Sequence, residues 1–155
     1  MSARPDAPTL ATDPLSKRRL RLWIRLLGVT RRAEGELRDF LRRDHATTLP
    51  RFDVMAALWR QEQPMTMTEI SRWLLVSNGN VTAVVDRLEA EGLAVRLPCD
   101  SDRRAVRVAL TDAGRARFDA MARAHEQEIS RIFAPLDEAD LAEMRRILRK
   151  LEPAA

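Results

Sequence analysis

The sequence predicts a mainly α-helical fold in which four helices precede one short β-hairpin and two helices follow it. Two observations indicate this order. Apolar side chains recur at helical spacing along most of the chain. After Gly92 the apolar period changes to two over a pair of short stretches, which is typical of half-buried strands. With 155 residues, the chain is long enough to bury a core without disulfide bonds or metal ions.

The first predicted helix is the longest. Residues 1–12 have no apolar period, and we expect a flexible tail there. Asp13 and Pro14 are typical of a helix start, because the fixed φ of proline suits the first helical position. The helix is expected to reach about Arg43. Its apolar stripe consists of Leu20, Trp23, Ile24, Leu27, Leu37, Phe40 and Leu41.

The second and third helices are short. Pro50 begins the second helix, and Pro64 follows its end. Thr66 and Glu69 have the spacing of a capping box, in which each side chain accepts a hydrogen bond from the other residue's backbone N–H. A third helix is therefore predicted over residues 67–74.

The fourth helix begins close behind the third. Ser77 is placed to cap its start, and Gly92 marks its end. Its inward face is expected to consist of Val81, Val84, Val85 and Leu88. A short helix, a tight turn and a longer helix form the outline of a helix-turn-helix.

Two strands follow this outline. Apolar residues alternate from Leu93 to Leu97 and again from Val106 to Leu110. The polar stretch 98–104 between them is expected to form the tip of a hairpin. The hairpin adds a wing, so the predicted fold class is a winged helix-turn-helix.

Two further helices complete the predicted fold. The first begins at Thr111 and is broken at Pro135, and Asp137 caps the second. The apolar faces of the flanking helices are wider than a winged helix alone needs, so we expect them to form a dimerisation domain with a second copy. The predicted divisions are a flexible tail at 1–12, a winged helix-turn-helix lobe at 49–110, and a helical dimerisation region built from 13–48 and 111–155.

Small polar side chains lie at the start of the predicted fourth helix. A helix in the major groove reads base edges with such groups, so double-stranded DNA is the predicted partner. The candidates on this helix are Ser77, Asn78, Asn80 and Thr82, with Arg87 placed to touch the DNA backbone. The alternative is a capped turn without a ligand.

The predicted hairpin tip carries a second candidate set. Arg103 and Arg104 would stand at the end of a thin projection, where a narrow minor groove attracts guanidinium groups. Asp102 is placed to orient one of them. The alternative is a solvated charged turn.

Other classes of function have little support. The sequence has no HExxH, Walker loop, GxGxxG or nucleophile elbow, and we expect neither an enzyme nor a metal or other cofactor. The single cysteine, Cys99, fits a reducing compartment. No long apolar run is present, so we expect a cytoplasmic protein without membrane contact. A helical adaptor without sequence-specific DNA binding is the alternative function, and it leaves the wing without a purpose.

Two stretches of the chain resemble the MarR family of winged-helix transcriptional regulators. They are TMTEISRWLLVSNGNVTAVVDRLEAEGL and DSDRRAVRVALTDAG, and the match runs from about Leu15 to Leu151. The resemblance implies a homodimer built by the first and last two helices, with the fourth helix in the major groove and the wing in the minor groove. It matches Arg104 to the wing-tip arginine and Asp102 to the aspartate that braces it. The resemblance thus implies a ligand-responsive repressor that binds a pseudo-palindromic operator.

The resemblance also implies an effector. Many members bind a small aromatic or phenolic anion between the dimer domain and the DNA-binding lobe. The stretch TLPRFDVMAAL resembles a subset linked to aromatic acid catabolism, so an aromatic acid or an aromatic acyl-CoA thioester is the expected effector. By position the candidate contacts are Trp23, His45, Phe52 and Met55. Their alternative role is packing in the core.

The basic side chains are unevenly distributed. The chain carries 27 Lys and Arg against 23 Asp and Glu. Residues 16–43 hold ten basic and three acidic side chains, whereas residues 76–91 hold one basic and three acidic. Three interpretations of the basic first helix stay open: contact with DNA phosphates, a counter-charge for an anionic effector, or a solvated face enriched in arginine by codon usage.

Overall fold

A computed structural model describes residues 14–98 and 106–152, which fall into two units on either side of the Glu36–Leu37 bond. The elements in chain order are α1 (Pro14–His45), α2 (Leu49–Gln61), β1 (Met65–Thr66), α3 (Met67–Leu74), α4 (Asn78–Ala90), β2 (Ala94–Pro98), β3 (Val106–Leu110), α5 (Asp112–Ile132) and α6 (Glu138–Leu148). This order confirms the predicted winged helix-turn-helix with flanking helices. The predicted tail at 1–12 lies outside the described residues.

The first unit contributes the part of α1 before Leu37. Its apolar side chains are largely exposed, and Trp23 and Ile24 are each 59% exposed. Arg32 Nε lies 3.9 Å from Glu36 Oε1 in this part of the helix and forms an ion pair with it. The remaining exposed apolar side chains are Leu15, Leu20, Leu22 and Val29.

The second unit contains a continuous hydrophobic core. Ile70 of α3, Val85 of α4 and Val108 of β3 are all fully buried. Helix α5 is joined to α2 by a hydrogen bond in which Trp59 Nε1 donates to Asp119 Oδ1 at 2.9 Å. The core therefore fixes α4 against α2, α3 and the sheet, which determines the side of α4 that faces solvent.

Each helix from α2 to α6 begins at a residue that caps it. In α3 the predicted capping box is present, with Glu69 N donating to Thr66 Oγ1 at 3.2 Å and Thr66 N donating to Glu69 Oε2 at 2.7 Å. These bonds satisfy backbone N–H groups that a helix start leaves unpaired. The capping residues are Thr48, Thr66, Ser77, Thr111 and Asp137.

The three strands form an antiparallel sheet in the order β1, β3, β2. In the β2–β3 hairpin, Ala94 pairs with Leu110 and Pro98 with Val106. Strand β1 is not among the predicted elements, because two residues are too few to show an alternating pattern. Its pairing of Met65 with Val108 attaches the start of α3 to the wing.

Three helices end at a residue with positive φ that is not glycine. Ala46 follows α1 at φ 48°, while Glu62 and Leu75 end α2 and α3 at φ 56°. This left-handed conformation favours glycine, because a Cβ crowds the backbone there. Each of these positions therefore carries backbone strain.

Candidate nucleic-acid interface

The start of α4 presents the predicted base-reading side chains to solvent. Ser77 Oγ accepts a hydrogen bond from Asn80 N at 3.3 Å and so caps the helix. On the opposite side of α4, Val81 and Val85 are buried in the core. The exposed candidates are Ser77, Asn78, Asn80, Thr82 and Arg87. The structure thus leaves all of the predicted α4 residues accessible to solvent.

Besides Ser77, two of these side chains have partners within the protein. Ser71 Oγ donates to Asn78 Oδ1, so the NH2 group of Asn78 remains as its donor. Thr82 Oγ1 donates to the carbonyl oxygen of Asn78 at 2.9 Å. Because its hydroxyl hydrogen is used in the helix, Thr82 can offer only an acceptor or its methyl group to DNA.

The carboxylates of α4 are held in ion pairs with arginines of other elements. Arg96 of β2 contacts both Asp86 and Glu89, with its Nη2 atom 2.5 Å from Asp86 Oδ1. The backbone N of Arg96 also donates to Glu89 Oε1 at 3.1 Å. The hydrogen bond to Asp86 raises the pKa of Arg96. These pairs reduce the repulsion that a net acidic helix would meet near phosphate.

Another arginine pairs with the end of α4. Arg51 of α2 contacts Glu91, and its side chain is only 16% exposed. The hydrogen bond from Arg51 lowers the pKa of Glu91, with Arg117 and Arg87 adding smaller effects in the same direction. Arg51 Nε has no hydrogen-bond partner among the described residues. The pair fixes the end of α4 to the start of α2.

The last described pair of the hairpin is Pro98 with Val106. Asp102, Arg103 and Arg104, the predicted minor-groove set, lie outside the described residues, as does Cys99. Their predicted roles therefore stay predictions.

The predicted effector contacts occupy different surroundings. Phe52 and Met55 are buried in the core at 5% and 1% exposure, whereas Trp23 is exposed on the first unit. The ring of Phe52 stacks on His125, with 4.3 Å between the ring centroids. The packing of Phe52 and Met55 matches the alternative role given to them above.

His45, another predicted effector residue, borders an open hollow. Its ring packs edge-on against Phe40 at 5.2 Å, and its carbonyl oxygen accepts from Arg117 Nη2 at 3.0 Å. The hollow has a volume of about 460 Å³. It is lined by Arg43, Asp44, His45, Ala46, Arg117, Ala120 and Met121. Among residues 14–98 and 106–152, no His, Cys, Asp and Glu side chains cluster in a way that could hold a metal ion.

Comparison with known proteins identifies the family of this fold. The profile of the MarR family matches residues 47–106. The regulator YkoM of Bacillus subtilis, described as an uncharacterized HTH-type transcriptional regulator, is 31% identical over 118 residues, which cover 76% of this chain and 75% of YkoM. The chain belongs to the MarR family. The resemblance seen in the sequence is thereby confirmed.

Other MarR relatives agree with this assignment. The HTH-type transcriptional regulator PecS of Dickeya dadantii is 32% identical over 103 residues, which cover 65% of this chain and only 62% of PecS. A mutant MarR from E. coli, solved in complex with operator DNA, has 25% identity and a TM-score of 0.77 over 88% of this chain and 96% of that one. BpsR of Bordetella bronchiseptica, whose DNA binding is described as regulated by 6-hydroxynicotinic acid, has 26% identity and a TM-score of 0.75 over 84% of this chain and 98% of that one.

In the part of the chain that the structure describes, no helix is both long enough and apolar enough to cross a membrane.

Proposed function

We propose that the chain is a DNA-binding transcriptional regulator that reads double-stranded DNA with α4. The observation that carries this proposal is the exposed polar start of α4. The carboxylates of the same helix are paired with Arg51 and Arg96. Asn78 and Asn80 supply amide groups of the kind that recognise base edges. The related MarR of E. coli, solved with operator DNA, supports the same partner.

The regulator acts as a homodimeric repressor on a pseudo-palindromic operator. Large apolar side chains are exposed on α1 and on α6, and their burial against a second copy would remove them from water. On α6 they are Leu141, Met144, Ile147 and Leu148. The two half-sites would lie about 10 base pairs apart. Sedimentation analysis at micromolar concentration tests the dimer, and a monomer would contradict it.

DNA selection tests the main proposal. Binding to a random-sequence pool, followed by gel-shift titration, is expected to enrich one inverted-repeat site. Arg104→Ala is expected to weaken binding to this site while the circular dichroism spectrum stays unchanged, if the wing enters the minor groove. A chain that enriches no sequence and is not retained on heparin would instead act as the helical adaptor.

The effector is an aromatic acid or its CoA thioester. The protein binds it in the cytoplasm. The hollow beside His45 and Arg117 supports an anionic ligand, and the regulation of the related BpsR by 6-hydroxynicotinic acid supports an aromatic acid. Trp23, Phe52 and Met55 remain predicted contacts. A thermal-shift titration with 6-hydroxynicotinic acid and with benzoyl-CoA tests this part, because a ligand that binds the folded state raises the melting temperature. His45→Ala is expected to reduce that shift.

A further inference from the structure

Leu75 combines two unfavourable features at the turn between α3 and α4. Its backbone is left-handed at φ 56° and ψ 38°, where glycine is normally preferred. Its side chain is 91% exposed, the largest exposed fraction among the large apolar side chains that the structure describes. Glycine at this position would remove both features. A leucine that is strained and also uncovered is typical of a functional contact.

The turn around Leu75 is firmly held. The backbone N–H of Leu75 donates to the carbonyl oxygen of Ser71, and Val76 N donates to the same oxygen at 3.0 Å. The side chain therefore stands on a fixed backbone. Leu75 precedes Ser77, the capping residue of α4, by two positions, so its backbone is held within one short turn of the start of α4.

We infer that Leu75 packs against the 5-methyl group of a thymine in the major groove, an inference that rests on the proposed DNA binding. The thymine methyl is the apolar group that base pairs present in this groove. The polar start of α4, which follows Leu75 in the chain, supplies hydrogen-bonding groups, whereas Leu75 supplies an apolar contact. Together they would discriminate a thymine from a cytosine.

A protein partner fits this position less well. The exposed apolar side chains of the segment are Trp73 at 41%, Leu75 at 91% and Val76 at 43%. The guanidinium of Arg60 also lies over the ring of Trp73 at 5.9 Å. A stable protein interface buries about 800 Å² on each partner, far more than these three side chains offer.

The test uses the full chain and a DNA site that it selects from a random pool. Each thymine of the site is replaced in turn by deoxyuridine, which lacks the methyl group. At one thymine in each half-site, the replacement is expected to weaken wild-type binding about fourfold, the change that corresponds to burying one methyl-sized group. Leu75→Gly changes both copies of the dimer, so it is expected to bind the unmodified site as weakly as the wild type binds a site with deoxyuridine at that thymine in both half-sites, about sixteenfold, and to show no further loss on deoxyuridine.

Glu62→Gly is the matched control. It removes the same left-handed strain at the end of α2, so it is expected to keep both the affinity and the deoxyuridine effect. A wild type that is indifferent to every deoxyuridine, or a Leu75→Gly variant that retains the deoxyuridine effect, would overturn the contact while DNA binding stands. Failure to select any DNA site would overturn the proposed function, and the thymine contact with it.

Discussion

Gly114 of α5 lies directly against the backbone of Leu93, at the start of the wing. A Cβ added at Gly114 would be 1.9 Å from the carbonyl oxygen of Leu93. The same carbonyl accepts from Thr111 N at 3.1 Å, and Thr111 Oγ1 donates to the carbonyl oxygen of Gly92 at 2.6 Å. The first turn of α5 is thus closely fitted to the segment that leaves α4.

Gly114→Ala is expected to destabilise the fold by about 3 kcal/mol, the upper range of the cost of forcing extra atoms into a packed site. Backbone atoms cannot rotate away as a flexible side chain can, so the segments themselves would have to separate. The free energy of unfolding, measured in urea, checks this prediction.

Gly35→Ala is the control for this change. An added Cβ at Gly35 meets no atom within 4 Å in the described chain. Alanine favours the helix more than glycine does, so a gain of up to about 1 kcal/mol is expected. Equal effects of the two substitutions would contradict the close fit of Gly114.

Arg96→Gln is expected to weaken DNA binding without any DNA contact by Arg96 itself. The change would leave Asp86 and Glu89 without their shared counter-charge. The repulsion between these two carboxylate charges and a phosphate about 8 Å away in water is about 1 kcal/mol, which corresponds to about a fivefold loss of affinity at low salt. Gel-shift titrations at several salt concentrations check this, since screening should shrink the difference.

The control for Arg96→Gln is a triple variant that also carries Asp86→Asn and Glu89→Gln. Adding Asp86→Asn and Glu89→Gln removes the two carboxylates, so binding is expected to return towards the wild-type value. If the triple variant binds as weakly as Arg96→Gln alone, Arg96 acts on the fold of the wing rather than through charge.

Substitutions of Arg87 and of Thr82 are expected to differ in their effect on the salt dependence of DNA binding. Arg87 is exposed on α4 and can touch phosphate, whereas the hydroxyl hydrogen of Thr82 is already donated to Asn78. Arg87→Gln should therefore lower the slope of log K against log salt by about 0.9 for each phosphate that the variant no longer neutralises. Thr82→Val should leave that slope unchanged. A reduced slope for Thr82→Val, whose side chain is neutral before and after the change, would contradict this assignment of the salt dependence to charged contacts.

The stability of the fold is expected to fall as the pH drops below about 6.5, the ordinary pKa of histidine. Burial lowers the pKa of His125, which stacks on Phe52. The unfolded chain then binds a proton at higher pH than the folded chain does, so acid favours unfolding until the lowered pKa is passed. Urea denaturation between pH 5 and 8 measures this, and His125→Phe, which keeps an aromatic ring there, should show a weaker pH dependence. Superimposable profiles for the two proteins would count against a role for His125.

Local signals in the sequence predict the helix starts well. The Thr66 and Glu69 spacing predicts the capping box, and Ser77 caps α4 as expected. Such caps depend on residues three positions apart, so they are readable from the chain alone.

The ion pairs around α4 cannot be predicted in the same way. Arg51 and Glu91, which form an ion pair, are far apart in sequence. The same holds for a hydrogen bond outside α4, in which Arg107 Nη1 donates to the carbonyl oxygen of Pro64 at 3.1 Å. With so many arginines in the chain, no spacing rule indicates which of them meets a given carboxylate. The net acidic character of α4 is visible in the sequence, whereas its neutralisation by Arg51 and Arg96 depends on tertiary packing.

The contacts of Arg96 have a mechanical consequence. Because Arg96 joins β2 to Asp86 and Glu89 of α4, charged contacts couple α4 to the base of the hairpin. A displacement of either element is therefore expected to displace the other. If α4 and the wing bind the two grooves as proposed, release from DNA is expected as one concerted step, and release of the wing alone would require the Arg96 contacts to break first.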